Sequence, residues 1–294
     1  MSEPFGPELT SIRSPKVKVA RQLAKRALRL RARSFLAEGP QAVREALGRS
    51  GVVSQLFITA AAHARHAELA AEAARQGAGV QAVSGEVMSE LAQTITPQGV
   101  LAVCRYVDVP LAQLAAGAPR LVVILASVRD PGNAGTVLRT ADAAGADGVI
   151  FSDASVDAYN SKCVRATAGS LFHLPLVVDV PVAEAVGAMR EAGLRILAAD
   201  GRAGRSLDEA GPDGRDGPPG GPTGWLFGNE AWGLPADVLA LADDVVAVPI
   251  YGKAESLNLA AAAAVCLYAS AHASRAGGTG QASPAPAGRA PREQ

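Results

Sequence analysis

Residues 121–126 read LVVILA, an unbroken apolar run. A strand with one wet face alternates polar and apolar side chains; a strand without alternation is buried on both faces. A parallel sheet covered by helices meets that condition, so this run directs the chain toward an α/β fold. The rest of the second half agrees. Strands are expected at 148–151, 174–178, 195–199, 225–227 and 245–248, and helices at 136–144, 161–168, 182–192, 236–242 and 256–273.

The first half reads as a smaller unit of the same kind. Ser14-Pro15 opens a helix expected to reach about residue 30, with Val19, Leu23, Ala27 and Leu30 as its apolar stripe. Strands are expected at 34–37, 52–58, 80–83 and 100–106, and helices at 40–47, 64–76 and from Ser84. Pro110, Gly117 and Pro119 mark a linker containing a short helix at 111–115. The expected organisation is a flexible arm over 1–14, a first α/β unit over 15–107, a linker over 108–119, a second α/β unit over 120–275 and a disordered low-complexity tail over 276–294. The Gly/Pro-rich stretch 211–224 reads as a mobile loop.

Charge sharpens the reading of the first unit. The chain balances 28 basic against 28 acidic residues, yet between Arg13 and Arg49 only Glu38 and Glu45 offset eleven basic residues. Such a segment is either a solvated helix face or a surface for a polyanion. Lys16, Lys18, Arg21, Lys25, Arg26, Arg29, Arg31 and Arg33 are its candidate contacts to such a polyanion. No run approaches the roughly 18 apolar residues of a membrane span, and MSEPFGPELT lacks the pattern of a signal peptide. Cys104, Cys163 and Cys266 are scattered, which argues for reduced thiols in a cytoplasmic protein and against a disulfide framework or structural zinc. His63 and His66 lack a third ligand nearby, so no metal is expected.

Chemistry concentrates at three strand-to-helix junctions, where open α/β sheets bind ligands. In the first, Pro131-Gly132-Asn133 reads as a tight turn, Gly135 as letting the backbone approach a ligand or a neighbouring strand, and Arg139 as either a surface charge or a phosphate clamp. In the second, Gly228-Asn229-Glu230 follows an apolar strand, and Glu230 either caps a helix or pairs with an arginine. In the third, Ser256 and Asn258 enter an alanine-rich helix, as N-caps or as groups placed around a ligand. The first is not a GxGxxG fingerprint, which disfavours a nicotinamide cofactor, and it is not a Walker loop.

Together these stretches resemble the three signature motifs of the SpoU (TrmH-like) RNA ribose methyltransferases of the SPOUT superfamily. Asn133, Gly135, Arg139, Thr140 and Ala141 match the first motif; Gly228, Glu230, Gly233 and Leu234 match the second. Val248-Pro249, Gly252 and Glu255 through Asn258 match the third. Leu259 and Ala260 stand where Val and Ser are common, and Ala231-Trp232 is a bulkier pair than usual. The basic first unit resembles an RNA-binding domain of the L30e ribosomal-protein type, most visibly at EGPQAVREAL.

The resemblance implies a parallel sheet with a deep trefoil knot, and a homodimer formed through the catalytic domain. It also implies S-adenosylmethionine as cofactor, held by Gly228, Ile250 and Leu257, with Ala198 and Leu259 contributing. The implied reaction is methyl transfer to a ribose 2′-hydroxyl of RNA, with 23S ribosomal RNA as the expected substrate. Arg139 would clamp phosphate and stabilise the alkoxide, since its pKa above about 12 makes it a poor base. Asn133 would position that site, Glu230 would orient Arg139 or Asn133, and Ser256 and Asn258 would hold the third loop and the ribose. The alternatives are a transfer-RNA 2′-O-methyltransferase and a non-catalytic RNA-binding or ribosome-assembly protein on the same scaffold. Removing residues 1–33 is expected to weaken RNA binding and flatten its salt dependence.

Overall fold

The structure is a computed structural model that describes residues 6–211, 219–229 and 232–277. Two sheets, of four and six strands, organise these residues. The first contains β1 (Ser34–Glu38), β2 (Val53–Ile58), β3 (Gly79–Ala82) and β4 (Val100–Arg105) in the order β1-β4-β2-β3. β4 runs antiparallel to β1 and β2, while β2 and β3 are parallel. Around it lie α1 (Pro15–Gln22), α2 (Arg26–Ala32), α3 (Pro40–Leu47), α4 (Ala60–Arg65), α5 (Ala67–Arg75) and α6 (Gly85–Leu91). α3 starts with proline at its first position and buries Ala42, Val43, Ala46 and Leu47.

The single helix expected over 15–30 is two helices, with the break at residues 23–25. The physical reason is Arg29. Its Nη1 donates to the carbonyls of Leu23 and Ala24, both at 2.8 Å, giving those acceptors partners outside a continuous helix. The helix expected over 64–76 is also two, meeting at His66, whose backbone leaves the helical region at φ −139°, ψ 43°. No glycine or proline marks either break in the sequence.

The second sheet contains β5 (Leu121–Leu125), β6 (Gly148–Ser152), β7 (Leu176–Val180), β8 (Arg195–Ala199), β9 (Thr223–Phe227) and β10 (Asp244–Val246). Their order is β10-β8-β9-β5-β6-β7 and every neighbouring pair is parallel. β5 is buried along its whole length, as the unbroken apolar run requires. Its helices are α7 (Leu111–Ala116), α8 (Pro131–Ala144), α9 (Ser161–Ala166), α10 (Val182–Glu191), α11 (Ala236–Leu239) and α12 (Leu259–Gly277). The chain leaves β5 toward β6 on one side and leaves β9 toward β10 on the other. The C-terminal ends of β5 and β9 therefore flank a topological switch point.

The two lobes share one apolar cluster. Phe35 of β1 packs on Tyr159, which stacks on Tyr106 with ring centroids 3.7 Å apart. The Tyr159 hydroxyl donates to Asp108 Oδ1 at 2.7 Å and accepts from the backbone N–H groups of Val107 and Asp108. The start of the expected linker is thereby fastened to the second lobe. No described helix is long and apolar enough to cross a membrane. Residues 1–5 of the expected arm, 212–218 of the expected loop and 278–294 of the expected tail lie outside the described residues.

Candidate active site

α8 carries the first motif. It begins at Pro131, five residues before the expected start at 136, so Pro131-Gly132-Asn133 is its first turn and not a separate one. Asp130 explains this: its carboxylate accepts from the Asn133 backbone N–H at 2.8 Å, and proline fills the first helical position. Lys162 donates to the other oxygen of Asp130 at 2.6 Å. Those two contacts, the Lys162 bond first, hold the Asp130 carboxyl below its ordinary range. Gly135 is a point of close approach, but to the helix α9 and not to a strand. A Cβ there would lie 2.4 Å from the Cys163 carbonyl oxygen and 2.7 Å from Ala166 Cβ, so only glycine lets α8 and α9 touch.

Arg139 is exposed and makes no hydrogen bond or ion pair among the described residues. It stands six residues beyond Asn133, about 9 Å along the axis and on a different face. By helical spacing it shares the face of Gly135 and Asp142, which turns toward α9 and the N-terminal lobe. Asn133 faces the third motif instead. Asn258 Nδ2 donates to Asn133 Oδ1 at 3.2 Å, which joins positions 125 residues apart. Asn258 is also the cap of α12, accepting from Ala260 N–H at 2.8 Å. α12 thus begins at Leu259, and Ser256 lies upstream in an exposed loop, not at the helix start.

The second motif closes on the first. Asn229 and Gly233 exchange backbone hydrogen bonds of 3.1 and 2.8 Å, folding the chain after β9 into a tight loop. The buried Asn229 side chain donates to the Ser127 carbonyl at 3.2 Å. Ser127 is a non-glycine residue at φ +58°, a strained backbone at the end of β5. Sequence reasoning passed over both Asn229 and Ser127, although both directly follow apolar strands. Glu230 and Ala231 lie outside the described residues, so the orienting role expected of Glu230 has no geometry here.

The ground for a cofactor is made of backbone and small side chains. A Cβ on Gly228 would lie 2.7 Å from the Gly233 carbonyl, so its backbone is bare and closely packed. Ile250 and Leu257 expose 38% and 39% of their surface on the third loop, apolar walls of the kind an adenine ring needs. Asp200, beyond the end of β8, is paired with Arg202 at 2.7 Å; that bond first, and backbone N–H groups after it, hold its carboxyl below the ordinary range. A carboxylate kept ionised beside Gly233 suits a cationic sulfonium ligand. These features fit S-adenosylmethionine. Two expected contacts differ. Leu259 is 8% exposed, and Ala198 is fully enclosed in β8, where both sheet faces are covered. Ala198 offers no surface to a ligand, a correction to its expected role.

The basic segment is more balanced in space than in sequence. Arg21 pairs with Glu90, Arg26 with Asp179 at 3.5 Å, and Arg33 with Asp108 at 2.7 Å, while Lys16 donates to Gln81 at 3.0 Å. Arg29 is 4% exposed and joined to Asp157 at 2.5 Å, so it bridges the lobes and is not an RNA contact. That corrects the expectation for Arg29. Lys18, Lys25 and Arg31 are exposed and make no ion pair among the described residues. Arg129 and Lys253, beside the first and third motifs, share that condition, and sequence reasoning did not single them out.

Comparison with known proteins supplies an independent measure. Residues 120–268 match the SpoU rRNA Methylase family, and residues 14–102 match an MRM3-like substrate binding domain. A Bacillus subtilis protein named 23S rRNA (guanosine(2553)-2'-O)-methyltransferase RlmP is 33% identical over 261 residues, which are 89% of this chain and 98% of that one. An S-adenosylmethionine-bound rRNA methyltransferase from Sinorhizobium meliloti superposes with a TM-score of 0.76 at 33% identity, covering 89% of this chain and 96% of that one. The SpoU methyltransferase AviRb from Streptomyces viridochromogenes, also in complex with the cofactor, gives 0.75 at 29% identity, covering 90% and 100%.

Proposed function

The chain belongs to the SpoU rRNA methylase family, and from that premise we infer that it is an S-adenosylmethionine-dependent 2′-O-methyltransferase of 23S ribosomal RNA. The observation that carries the inference is the Asn258–Asn133 hydrogen bond, which closes the third motif onto α8, the helix on which Arg139 makes no hydrogen bond or ion pair among the described residues. Bound S-adenosylmethionine supplies an electrophilic methyl group on a sulfonium. The chain's own residues do the rest. Gly228, Ile250 and Leu257 hold the cofactor, with Leu259 behind them. Asn133 and Asn258 fix the loop against α8, and Ser256 faces the ribose from that loop. Arg139 clamps RNA phosphate and stabilises the 2′-oxygen as it loses its proton. Glu230 is assigned the orientation of this set by its motif position alone. Lys18, Lys25, Arg31 and the less committed basic residues Lys16, Arg21, Arg26 and Arg33 attract the RNA backbone.

A homodimer is part of the reading. α12 buries Leu259, Ala263, Cys266 and Leu267 on one side, yet exposes Val265 and Tyr268 at 42% each on the other. A helix apolar all round is normally buried all round. Ile250 and Tyr251 continue the exposed apolar surface at the third loop, which supports a second copy packed across the cofactor ground. The trefoil knot is proposed for the segment from β9 to α12; the insertion of β9 between β8 and β5 supports it. A cytoplasmic location is supported by three buried free thiols.

The test is purified protein with methyl-labelled S-adenosylmethionine and unmodified 23S ribosomal RNA, then digestion to nucleosides. A labelled 2′-O-methylnucleoside is the expected product. No label on 23S RNA, ribosomal subunits or transfer RNA, with cofactor binding intact, would replace this function with a non-catalytic RNA-binding one. Sedimentation of the same sample should give twice the chain's 29.8 kDa; a monomer would remove the dimer.

A further inference from the structure

A cleft of about 350 Å³ opens between the lobes, walled by Glu38, Gln41, Thr94, Thr96, Gln98 and Arg165. Glu38 and Gln41 come from β1 and α3, Thr94 to Gln98 from the loop between α6 and β4, and Arg165 from α9. The volume lies near the lower end of the roughly 300–1,000 Å³ that holds small ligands. None of these residues belongs to the three motifs.

Arg165 is the first sign that the cleft is built to bind. Its Nη1 is buried and makes no hydrogen bond; the nearest acid, Glu38, stands 3.7 Å away, beyond hydrogen-bond reach. Buried donors left without a partner are few in native proteins. Glu38 is the one acid on the wall, and it is engaged elsewhere. It accepts from the Thr94 hydroxyl and from the Gln93 backbone N–H at 3.2 Å, holding the loop in place. Its charge faces Arg165 as a loose ion pair at 3.7 Å, which leaves the buried Nη1 donor without a hydrogen bond.

The loop supplies the second sign. Thr96 and Gln98 are exposed and make no hydrogen bond among the described residues, and Ile95 beside them is 101% exposed. Unpaired hydroxyl and amide groups on a cleft wall match the needs of an unstacked base, whose edge they can read.

Position supplies the third. α9 carries Arg165 at the cleft and Lys162 at the Asn133 end, where Lys162 bonds Asp130, the cap of α8. Ser161 Oγ donates to Gln93 Oε1 at 3.0 Å, fastening the loop to the start of α9. Six helical residues span about 9 Å, so an occupant of the cleft is a near neighbour of anything at Asn133 and Arg139.

We propose that this interlobe cleft is a nucleotide subsite that takes an unpaired base flanking the methylated ribose. Arg165 binds its phosphate, and Thr96 and Gln98 read its edge. The proposal rests on the RNA methyltransferase reading above. It makes the junction of the lobes, and not the basic helices alone, a determinant of which RNA position is methylated.

The experiment is steady-state methylation of 23S RNA transcript by the full chain, with cofactor affinity measured separately by calorimetry. Thr96→Ala and Gln98→Ala, both at exposed positions, should each raise the RNA KM about fivefold to tenfold, with kcat and cofactor affinity unchanged. Arg165→Ala should raise it further. Transcripts carrying single abasic sites around the mapped position then form a cycle with Gln98→Ala. At one flanking position the abasic loss should be large for the wild type and absent for the variant. An unchanged RNA KM in Thr96→Ala and Gln98→Ala, or losses that simply add, would overturn the subsite while leaving the methyltransferase standing. A wild-type protein that methylates no RNA would instead remove the underlying function, and the subsite with it.

Discussion

At the residue scale, chemistry at this site depends on which polar groups are already satisfied. Asn133, Asn258 and Asn229 are bonded to one another's segments, so they set the shape of the loops. Arg139 makes no hydrogen bond or ion pair among the described residues, which leaves its guanidinium available there to an incoming phosphate. Removing one preorganised donor from a developing oxyanion typically lowers kcat by about 100- to 1,000-fold. Arg139→Ala should therefore lose turnover on that scale and keep cofactor affinity within about twofold. Normal turnover in the methyl-transfer assay would strip Arg139 of its role.

At the element scale, α8 is placed by close contact with α9, and Gly135 sets the distance. A Cβ there meets a backbone carbonyl, which cannot swing aside as a flexible side chain can. Gly135→Ala should destabilise the fold by about 1–3 kcal/mol, read from urea denaturation. It should also lower activity, because Arg139 rides on the same face; an unchanged midpoint would show that the two helices separate freely. α1 and α2 teach the opposite lesson. They and the turn between them bury Val17, Ala20, Leu23 and Arg29, so deleting residues 1–33 would damage the core and test nothing about RNA. Changing Lys18, Lys25 and Arg31 together to Gln leaves that packing intact. The triple variant should reduce the slope of log affinity against log salt by about 2–3, at about 0.7–0.9 per lost phosphate contact. An identical slope in filter binding would return these three residues to the status of a solvated face.

At the scale of the whole molecule, the lobes are joined by contacts of different kinds: the Arg29–Asp157 pair, the Tyr106–Tyr159 stack, and His173. His173 of the second lobe stands between Asp142 of α8 at 2.7 Å and Glu45 of α3 at 3.1 Å. Partial burial lowers its pKa, but the hydrogen bonds and charges of the two carboxylates outweigh burial and raise it above the ordinary histidine value of 6.5. A raised folded pKa contributes stability that is fully present below the unfolded pKa and is lost as pH rises through the folded one. The wild type should therefore be more stable than His173→Gln by a larger margin at pH 5.5 than at pH 8.5. Because His173 is partly exposed, solvent screening keeps the margin small. A margin independent of pH in paired denaturant titrations would contradict the clamp.

What the sequence determined alone was everything that repeats locally or is written as a residue type. The LVVILA run required a strand buried on both faces, and β5 is one. The motif residues named the family, and Gly135 was legible as a close approach because glycine is the residue that permits one. The tertiary structure decided what depends on partners far along the chain. Arg29 is basic in sequence and a buried tie in space because Asp157 lies 128 residues away, and its reach to Leu23 and Ala24 breaks a helix no propensity would break. Start points moved for the same reason: Asp130 and Asn258 cap α8 and α12 at positions set by Lys162 and Asn133. The interlobe cleft has no linear signature at all, since Glu38, Gln98 and Arg165 become neighbours only when the two sheets dock. Local propensities act over one or two turns, whereas docking is settled by burial and charge pairing summed over the whole chain.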